Sequence, residues 1–298
     1  MNRQFIAHLA ILAANLIYGI NYTFAKDVMP DYVEPFGFIV LRVMGATPLF
    51  WLISFFGPRE KIAKRDFIRL AACGLFGVAL NQLMFFAGLN LTTPINAAII
   101  MTTNPILVLI AAFLILKQSI TKRKIFGIGM GIIGAVTLIL FQGGMSLESG
   151  TGAGDLLIFL NSTSYGIYLV LVAPLMSKYR PITVIKWVFV FGAIMVIPFG
   201  YEQFSAIYWE SFSTDIYLKT GFVVFFTTFL AYLFNIIGLK SLKPSTVSSY
   251  IYLQPFFAAA FAIMLGMDQL DTVKIVAAVL IFTGVYLVSS KRKVADGE

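Results

Sequence analysis

Polar side chains occur singly inside long apolar runs of this chain, and each is a candidate for contact with a solute. In a bilayer, an amide or hydroxyl is costly unless it faces a partner or water. Asn15, Tyr18 and Tyr22 recur at helical spacing and share one face of the first run. The predicted substrate-binding residues, drawn from six runs, are Asn15, Tyr18, Tyr22, Asn81, Gln82, Asn104, Asn161, Tyr165, Tyr168, Tyr232, Asn235, Ser249, Tyr252 and Gln254.

These six runs offer amides, hydroxyls and aromatic rings, and we expect no carboxylate among their lining groups. Such a lining suits a neutral, zwitterionic or aromatic-bearing solute. Hydrogen bonding between neighbouring helices is the alternative role for every one of these residues.

Arg42 is the one charged residue deep inside a run, about nine residues from its start or roughly 13 Å along a helix. A buried cation needs an acceptor. Arg42 could therefore meet a carboxylate or carbonyl group of a substrate. It could instead be structural, with its donors satisfied by carbonyls at the end of a neighbouring helix.

Two prolines, Pro105 and Pro255, fall inside apolar runs, where each removes a helical hydrogen bond. They could act as paired hinges or as permanent kinks that only shape a cavity. Asn104 and Gln254 precede them, and we expect their side chains to bond the freed carbonyls.

Enzyme chemistry is not indicated, because the sequence has one cysteine and one histidine and no paired nucleophile and base. We therefore predict no catalytic residue, no metal and no cofactor. The letters of residues 129–134 match a dinucleotide-binding fingerprint, but they lie in an apolar run that follows no strand. Gly127 and Gly131 are instead predicted to give a small-residue face for close helix packing.

The composition indicates that lipid is the solvent of this chain. Of its 298 residues, 59% are hydrophobic and 12% are charged, whereas soluble domains have roughly 25% charged residues. Runs long enough to cross a bilayer as helices fall near 5–26, 33–56, 66–89, 94–116, 123–141, 154–177, 182–200, 216–239, 245–266 and 272–290.

The basic residues predict how these runs are oriented. Eighteen of the 22 Lys and Arg residues fall on one side of a ten-span arrangement, and only Lys26, Lys219 and Lys274 on the other. This bias places both termini in the cytoplasm. Because the net charge of +8 resides in short loops between apolar runs, we expect no nucleic-acid partner.

The two halves of the chain resemble each other. The pairs Gly88 and Gly238, Pro94 and Pro244, Pro105 and Pro255, and Gly134 and Gly284 match at an offset of 150, and Tyr18 matches Tyr165 at an offset of 147. Each half has five runs, an odd number, so the second half must enter the membrane from the opposite side. We predict an all-α polytopic membrane protein of ten transmembrane helices in two five-helix repeats of inverted topology, 1–145 and 152–292. Such repeats place a site near the midplane at their interface.

The arrangement resembles the EamA-type, ten-helix branch of the drug/metabolite transporter superfamily. The resemblance rests on residues 15–21, 41–42, 88–89, 93–94, 104–105 and 127–134 and on the matching repeat positions. It implies a central cavity lined by helices 1, 3, 4, 6, 8 and 9, with helices 5 and 10 at the periphery. Since helix 2 is not a main cavity wall in that family, the structural interpretation of Arg42 is favoured. The resemblance also implies export or exchange of amino acids or related metabolites across the bacterial inner membrane.

The leading functional hypothesis is therefore a secondary exporter or facilitator of amino-acid-like metabolites. A proton-coupled multidrug exporter of lipophilic cations is the alternative, and it would need a buried carboxylate. The acids Asp27, Asp31 and Glu34 cluster at the outer ends of helices 1 and 2, and none is expected mid-span. A membrane sensor or assembly protein would not need an inverted repeat. The expected partners are a small-molecule substrate and the lipid bilayer, with the chain a monomer or weak homo-oligomer.

Overall fold

The computed structural model describes residues 3–117, 120–141, 151–242 and 250–289, and within these ranges it contains helices and no strand. In chain order the helices are α1 (Arg3–Val28), α2 (Pro35–Phe55), α3 (Asp66–Leu91), α4 (Pro94–Met101 and Asn104–Leu116), α5 (Lys122–Phe141), α6 (Thr151–Lys178), α7 (Pro181–Ser205), α8 (Thr214–Gly221, Phe222–Leu230 and Ala231–Ser241), α9 (Tyr250–Leu253 and Gln254–Met264) and α10 (Thr272–Ser289). Each of the ten predicted apolar runs therefore falls on a helix.

Length and composition make this an all-helical, polytopic membrane protein. Seven helices of the described ranges, α1–α4 and α6–α8, are long and apolar enough to cross a membrane, and α9 and α10 are shorter apolar helices. Large apolar side chains cover the outer surface: Phe56 is 86% exposed, and Phe199 and Leu114 are each 68% exposed. Contiguous exposed apolar surface of this kind marks contact with lipid rather than with water.

Proline and short polar side chains begin several helices. Pro35, Pro94 and Pro181 each lie in the first turn of a helix, where a backbone donor has no helical partner and proline removes nothing needed. The Thr93 hydroxyl accepts from the backbone N–H of Asn96, which caps α4. The helix starts follow directly from local sequence.

Four helices depart from regular α geometry, three of them near their middles and α9 at the start of its described residues. Leu75–Ala79 in α3 and Phe222–Leu230 in α8 are π-helical, a geometry frequent at functional sites. In α4 the helix stops at Met101 and resumes at Asn104, and in α9 a 3₁₀ segment precedes Gln254.

Pro105 and Pro255 are each the second residue of the α-helical segment that follows such an irregular stretch. Asn104 and Gln254 do not bond the freed carbonyls, contrary to expectation. The hydroxyls of Thr102 and Thr103 instead donate to the carbonyls of Ile99 and Ile100. The amide of Gln254 donates to α1. Whether the prolines are hinges stays a prediction.

The helices pack in pairs that join the two halves of the chain. α2 packs on α7 and α5 on α10; α3 lies against α6 and α1 against α8; α6 also contacts α4, and α1 contacts α9. α5 and α10 approach through glycines, because a Cβ built on Gly284 would lie 2.5 Å from the Gly127 carbonyl oxygen and 2.7 Å from the Gly131 nitrogen. The small-residue face predicted for α5 is thus confirmed.

Polar contacts link the helices at both ends of the bundle. At one end, here called the Lys274 end, Lys26 donates to the Asn90 carbonyl, Lys219 pairs with Asp27, and Lys274 pairs with Asp268. At the other, the Lys178 end, the described contacts include Lys178 with Asp66, the Glu60 carboxylate with the backbone N–H of Arg180, and His8 with Tyr250. The polar site described next lies between these two ends.

Candidate functional site

Four predicted site residues come together around Arg42 in the interior. Tyr18 of α1, Tyr165 and Tyr168 of α6 and Tyr232 of α8 interact electrostatically with one another. The Arg42 guanidinium of α2 interacts in the same way with the hydroxyls of Tyr18 and Tyr232. We call these four tyrosines the tyrosine cluster. Tyr18, Tyr165 and Tyr232 keep part of their side-chain surface accessible.

The irregular segments of α3 and α8 position groups of this site. Thr228 lies in the π-helical part of α8, where its hydroxyl donates to the Val223 carbonyl at 2.9 Å. The same hydroxyl accepts from Arg42 Nε at 2.7 Å. In α3, Gly77 leaves room for Tyr168, because a Cβ there would lie 2.5 Å from the ring. The two π-helical segments therefore lie directly beside the tyrosine cluster.

Other contacts orient individual members. Asn235 donates from Nδ2 to the Tyr18 hydroxyl at 3.3 Å and to the Ala231 carbonyl at 2.8 Å. The rings of Tyr165 and Tyr168 lie 5.7 Å apart, and Tyr232 meets Phe189 edge-on at 5.4 Å. Aromatic packing and one amide thus hold the hydroxyls in place.

Five other predicted site residues join helices to each other. Gln254 of α9 donates to Asn15 Oδ1 at 2.9 Å, and its own carbonyl accepts from the Tyr22 hydroxyl. Asn161 of α6 donates to the Asn81 carbonyl at 2.6 Å, and Asn81 donates in return to the Asn161 carbonyl. These contacts match the alternative role foreseen for the polar residues, hydrogen bonding between helices.

The remaining predicted residues lie outside both groups. Gln82 and Asn104 are each 4% exposed, and their side-chain carbonyl oxygens have no hydrogen-bond partner among the described residues. The Tyr252 ring lies 6.1 Å from that of Phe282 in α10. Ser249 falls outside the residues that the structure describes.

Comparison with known proteins decides the family. The model of the EamA-like transporter family matches this chain twice, at residues 5–140 and 152–290. The chain belongs to the EamA-like transporter family.

Relatives of this EamA-like transporter are similar over nearly their whole length. The uncharacterized transporter YyaM of Bacillus subtilis (strain 168) is 26% identical over 288 residues, which cover 95% of this chain and 93% of YyaM. An uncharacterized transporter of Archaeoglobus fulgidus is 27% identical over 293 residues, covering 96% and 98%. A solved crystal structure superposes with a TM-score of 0.62 at 18% identity, covering 96% of this chain and 97% of its own, and so shares the fold.

Arg42 of this EamA-like transporter is not satisfied in the way that the sequence suggested. Its neighbours are the Thr228 hydroxyl and the face of Phe86, whose ring centre lies 4.7 Å from the guanidinium carbon. They are not carbonyls at a helix end. Among the described residues, neither Nη atom makes a hydrogen bond, and no carboxylate lies within ion-pair distance.

α6 also carries a buried acid that was not singled out from the sequence. Asp155, the fifth residue of α6, is 0% exposed and accepts hydrogen bonds from the Thr92 hydroxyl and from Asn96 Nδ2, the latter at 3.1 Å. The signal in the sequence was an acid just inside the run 154–177. Asp155 lies at the Lys274 end, near Lys274 and Asp268.

The described part of the chain also bears on metal binding. No group of three or more His, Cys, Asp or Glu residues there is placed to hold a metal ion. The sole cysteine, Cys73, is buried. What the described geometry offers is a set of hydroxyls and one guanidinium that can bind a polar solute.

Proposed function

We propose that this EamA-like transporter is a secondary transporter that exports or exchanges amino acids or similar zwitterionic or neutral solutes by alternating access. The observation that carries the proposal is the tyrosine cluster, in which tyrosines from α1, α6 and α8 interact electrostatically with one another, two of them with Arg42, and Asn235 of α8 bonds the Tyr18 hydroxyl of α1. Hydroxyls that both donate and accept suit a solute with mixed polar groups.

The proposal includes a ten-helix inverted repeat, and the packing supports it. At the sequence offsets found above, α3 on α6 corresponds to α8 on α1, and α4 on α6 corresponds to α9 on α1. The π-helical segments Leu75–Ala79 and Phe222–Leu230 also fall at matching positions. Repeats of this kind enclose a site that either side of the membrane can reach in turn.

The broken helices support alternating access. In α4 the helix is interrupted just before Pro105, and in α9 a 3₁₀ segment leads into Gln254 just before Pro255. Both α4 and α9 contact helices that carry the tyrosine cluster. At the Lys274 end, α3 and α6 cross closely, since a Cβ on Gly154 would lie 2.8 Å from the Gly88 carbonyl oxygen. Opening this end would therefore require α3 and α6 to separate while their polar contacts break.

We place the chain in the cell inner membrane with both termini in the cytoplasm. The few lysines at the Lys274 end are all neutralised or bound: Lys26 by a carbonyl, Lys219 by Asp27 and Asp215, and Lys274 by Asp268. Unpaired positive charge, which favours the cytoplasmic side, is thus concentrated at the Lys178 end.

Single-cysteine labelling tests this orientation. In a Cys73→Ser background, Gln269→Cys and Lys64→Cys place exposed thiols at the Lys274 end and the Lys178 end, respectively. We expect a membrane-impermeant maleimide to label Gln269→Cys in intact bacterial cells and Lys64→Cys only after permeabilisation. The reverse pattern would overturn the orientation, and labelling of both in intact cells would contradict the membrane placement.

Counterflow in proteoliposomes tests the transport proposal. We expect uptake of at least one labelled solute from a panel of amino acids and nucleobases, and a fall of about tenfold or more in Tyr18→Ala, which removes a hydroxyl and ring from the cluster. Tyr286→Ala is the matched control, because that ring is 66% exposed on α10. Uptake no greater than in empty liposomes for every panel member would contradict secondary transport.

Asp155 favours one alternative, a proton-coupled exporter of lipophilic cations, because such chemistry uses a buried carboxylate. Two contacts weigh against it. Asp27, the other candidate acid, is already paired with Lys219, and the Arg42 charge beside the tyrosine cluster would repel a cation. Uptake of tetraphenylphosphonium that needs a pH gradient and is lost in Asp155→Asn would favour the alternative.

A further inference from the structure

We propose that Arg42 binds a carboxylate of the transported solute, so that the substrate is a carboxylate-bearing molecule rather than a neutral or cationic one. The inference rests on the proposed transport function and narrows its substrate class. Substrate binding is thus assigned to Arg42, although the sequence favoured a structural role for it.

The first observation is an incomplete set of partners around a buried cation. Arg42 is 6% exposed, and its only hydrogen bond among the described residues runs from Nε to the Thr228 hydroxyl. A guanidinium has five N–H donors, so the four on the two Nη atoms have no acceptor in the described chain. Because a buried charge gains from an acceptor, these donors are suited to bind an anion that enters the site.

The second observation is that the guanidinium is held ready for a planar anion. The Phe86 ring lies against one side of it at 4.7 Å, and Phe86 is itself fully buried between aromatic neighbours. The Thr228 contact fixes Nε, so the direction of the two Nη groups is set. A guanidinium fixed in this way matches a carboxylate with two parallel hydrogen bonds.

The third observation concerns the groups that surround the two Nη atoms of Arg42. Tyr18 and Tyr232 are within electrostatic range of the guanidinium, and tyrosine hydroxyls are hydrogen-bond donors that suit an anion. No Asp or Glu lies within ion-pair distance of Arg42 in the described chain. An amine of the solute would find hydroxyl oxygens in the tyrosine cluster but no competing protein carboxylate beside Arg42.

The fourth observation is that the fold does not need this cation. At the offsets that relate the two halves, Arg42 corresponds to Phe189 and Thr228 corresponds to Val78. Phe189 and Val78 are both buried, 1% and 1% exposed, in α7 and in the π-helical part of α3, which pack on each other. An apolar pair therefore fills the equivalent place, and the charge in the first half is a local addition.

Matched ligands and variants test the proposal. Thermal stabilisation of the detergent-purified protein is measured with L-leucine, with leucinamide, which lacks the carboxylate, and with acetate. Counterflow of labelled leucine in proteoliposomes is measured in parallel. The variants are Arg42→Gln and Arg42→Phe/Thr228→Val. The double variant introduces the residue types found at Phe189 and Val78, so that apolar side chains replace the lost polar ones. Lys186→Gln is the control, since it removes one positive charge outside the tyrosine cluster.

We expect leucine or acetate, but not leucinamide, to stabilise the unmodified protein and the Lys186→Gln control. In Arg42→Gln and the double variant, the carboxylate concentration for half-maximal stabilisation should rise by a factor of about 10 to 100. A folded Arg42→Gln protein that still prefers the carboxylate, or unmodified protein that does not distinguish leucine from leucinamide, would overturn the inference. Carboxylate stabilisation that depends on Arg42 without any flux would uphold this site and overturn the transport proposal alone.

Discussion

A Lys274→Met variant is expected to lose about 3–5 kcal/mol of stability, because it leaves a buried carboxylate without its cation. The Lys274 Nζ atom lies 2.6 Å from Asp268 Oδ1, and the two side chains are only 3% and 4% exposed. Nζ also donates to the Gln269 carbonyl at 2.7 Å. The measurement is the thermal unfolding midpoint of the detergent-purified protein, which should fall markedly.

A double variant separates the lost ion pair from the lost packing. Lys274→Met/Asp268→Asn removes both charges, and the new amide can still accept from the Ile95 backbone N–H that Asp268 now holds. We expect it to recover most of the lost stability. Lys178→Met is the matched control, since Lys178 is 43% exposed in its pair with Asp66 and such pairs contribute about 0–1 kcal/mol. Similar losses in Lys274→Met and Lys178→Met would contradict the buried role.

The Gly284→Leu variant is expected to separate α10 from α5. A Cβ at position 284 would lie 2.5 Å from the Gly127 carbonyl oxygen and 3.0 Å from the Gly131 Cα, so the obstacle is backbone and no side chain can move aside. Overpacking a close-packed interior costs about 1–3 kcal/mol, and more where only whole helices can shift. Thermal unfolding and elution as a single species in size-exclusion chromatography measure the effect.

The same helix pair supplies the control. Gly129 of α5 has no atom within 4 Å of the position that a Cβ would take, so Gly129→Leu adds the same bulk where there is space. Leucine also favours helix more than glycine does. We therefore expect Gly129→Leu to match the unmodified protein. A loss in Gly129→Leu as large as that in Gly284→Leu would show that the contact between the two helices is not the cause.

Lys274 and Arg42 show two different ways to bury a positive charge. The Lys274 ammonium pairs with the carboxylates of Asp268 and Asp271 and donates to the Gln269 carbonyl, all close to it in sequence. Arg42 has one hydroxyl, one ring and four free N–H donors among the described residues. The first arrangement is complete without a ligand, so we expect its loss to lower stability. The second is incomplete, so we expect its loss to lower ligand affinity.

Helix positions and the irregular points at the two prolines were predictable from the chain alone, but the two π-helical segments were not. A bilayer requires helices of about 20 apolar residues whose backbone groups bond within the segment, so hydropathy located all ten runs. The prolines at 105 and 255 marked two irregular points, because proline has no backbone N–H to donate to the carbonyl of the preceding turn. The glycines of residues 127–134 likewise indicated a close helix contact, since small side chains serve that purpose in lipid.

The roles of individual polar residues depended on contacts between distant parts of the chain. Helical periodicity tells which residues share a face, but not which neighbouring helix covers that face. Asn81 and Asn161 bond each other across 80 residues, whereas Tyr18 and Tyr232 interact electrostatically with Arg42. In the sequence, both pairs were simply polar residues within apolar runs. Asp155 is buried only because the start of α6 packs on α3 and α4. Local sequence determines the helices, and tertiary packing determines which of their polar groups keep a free bond for a ligand.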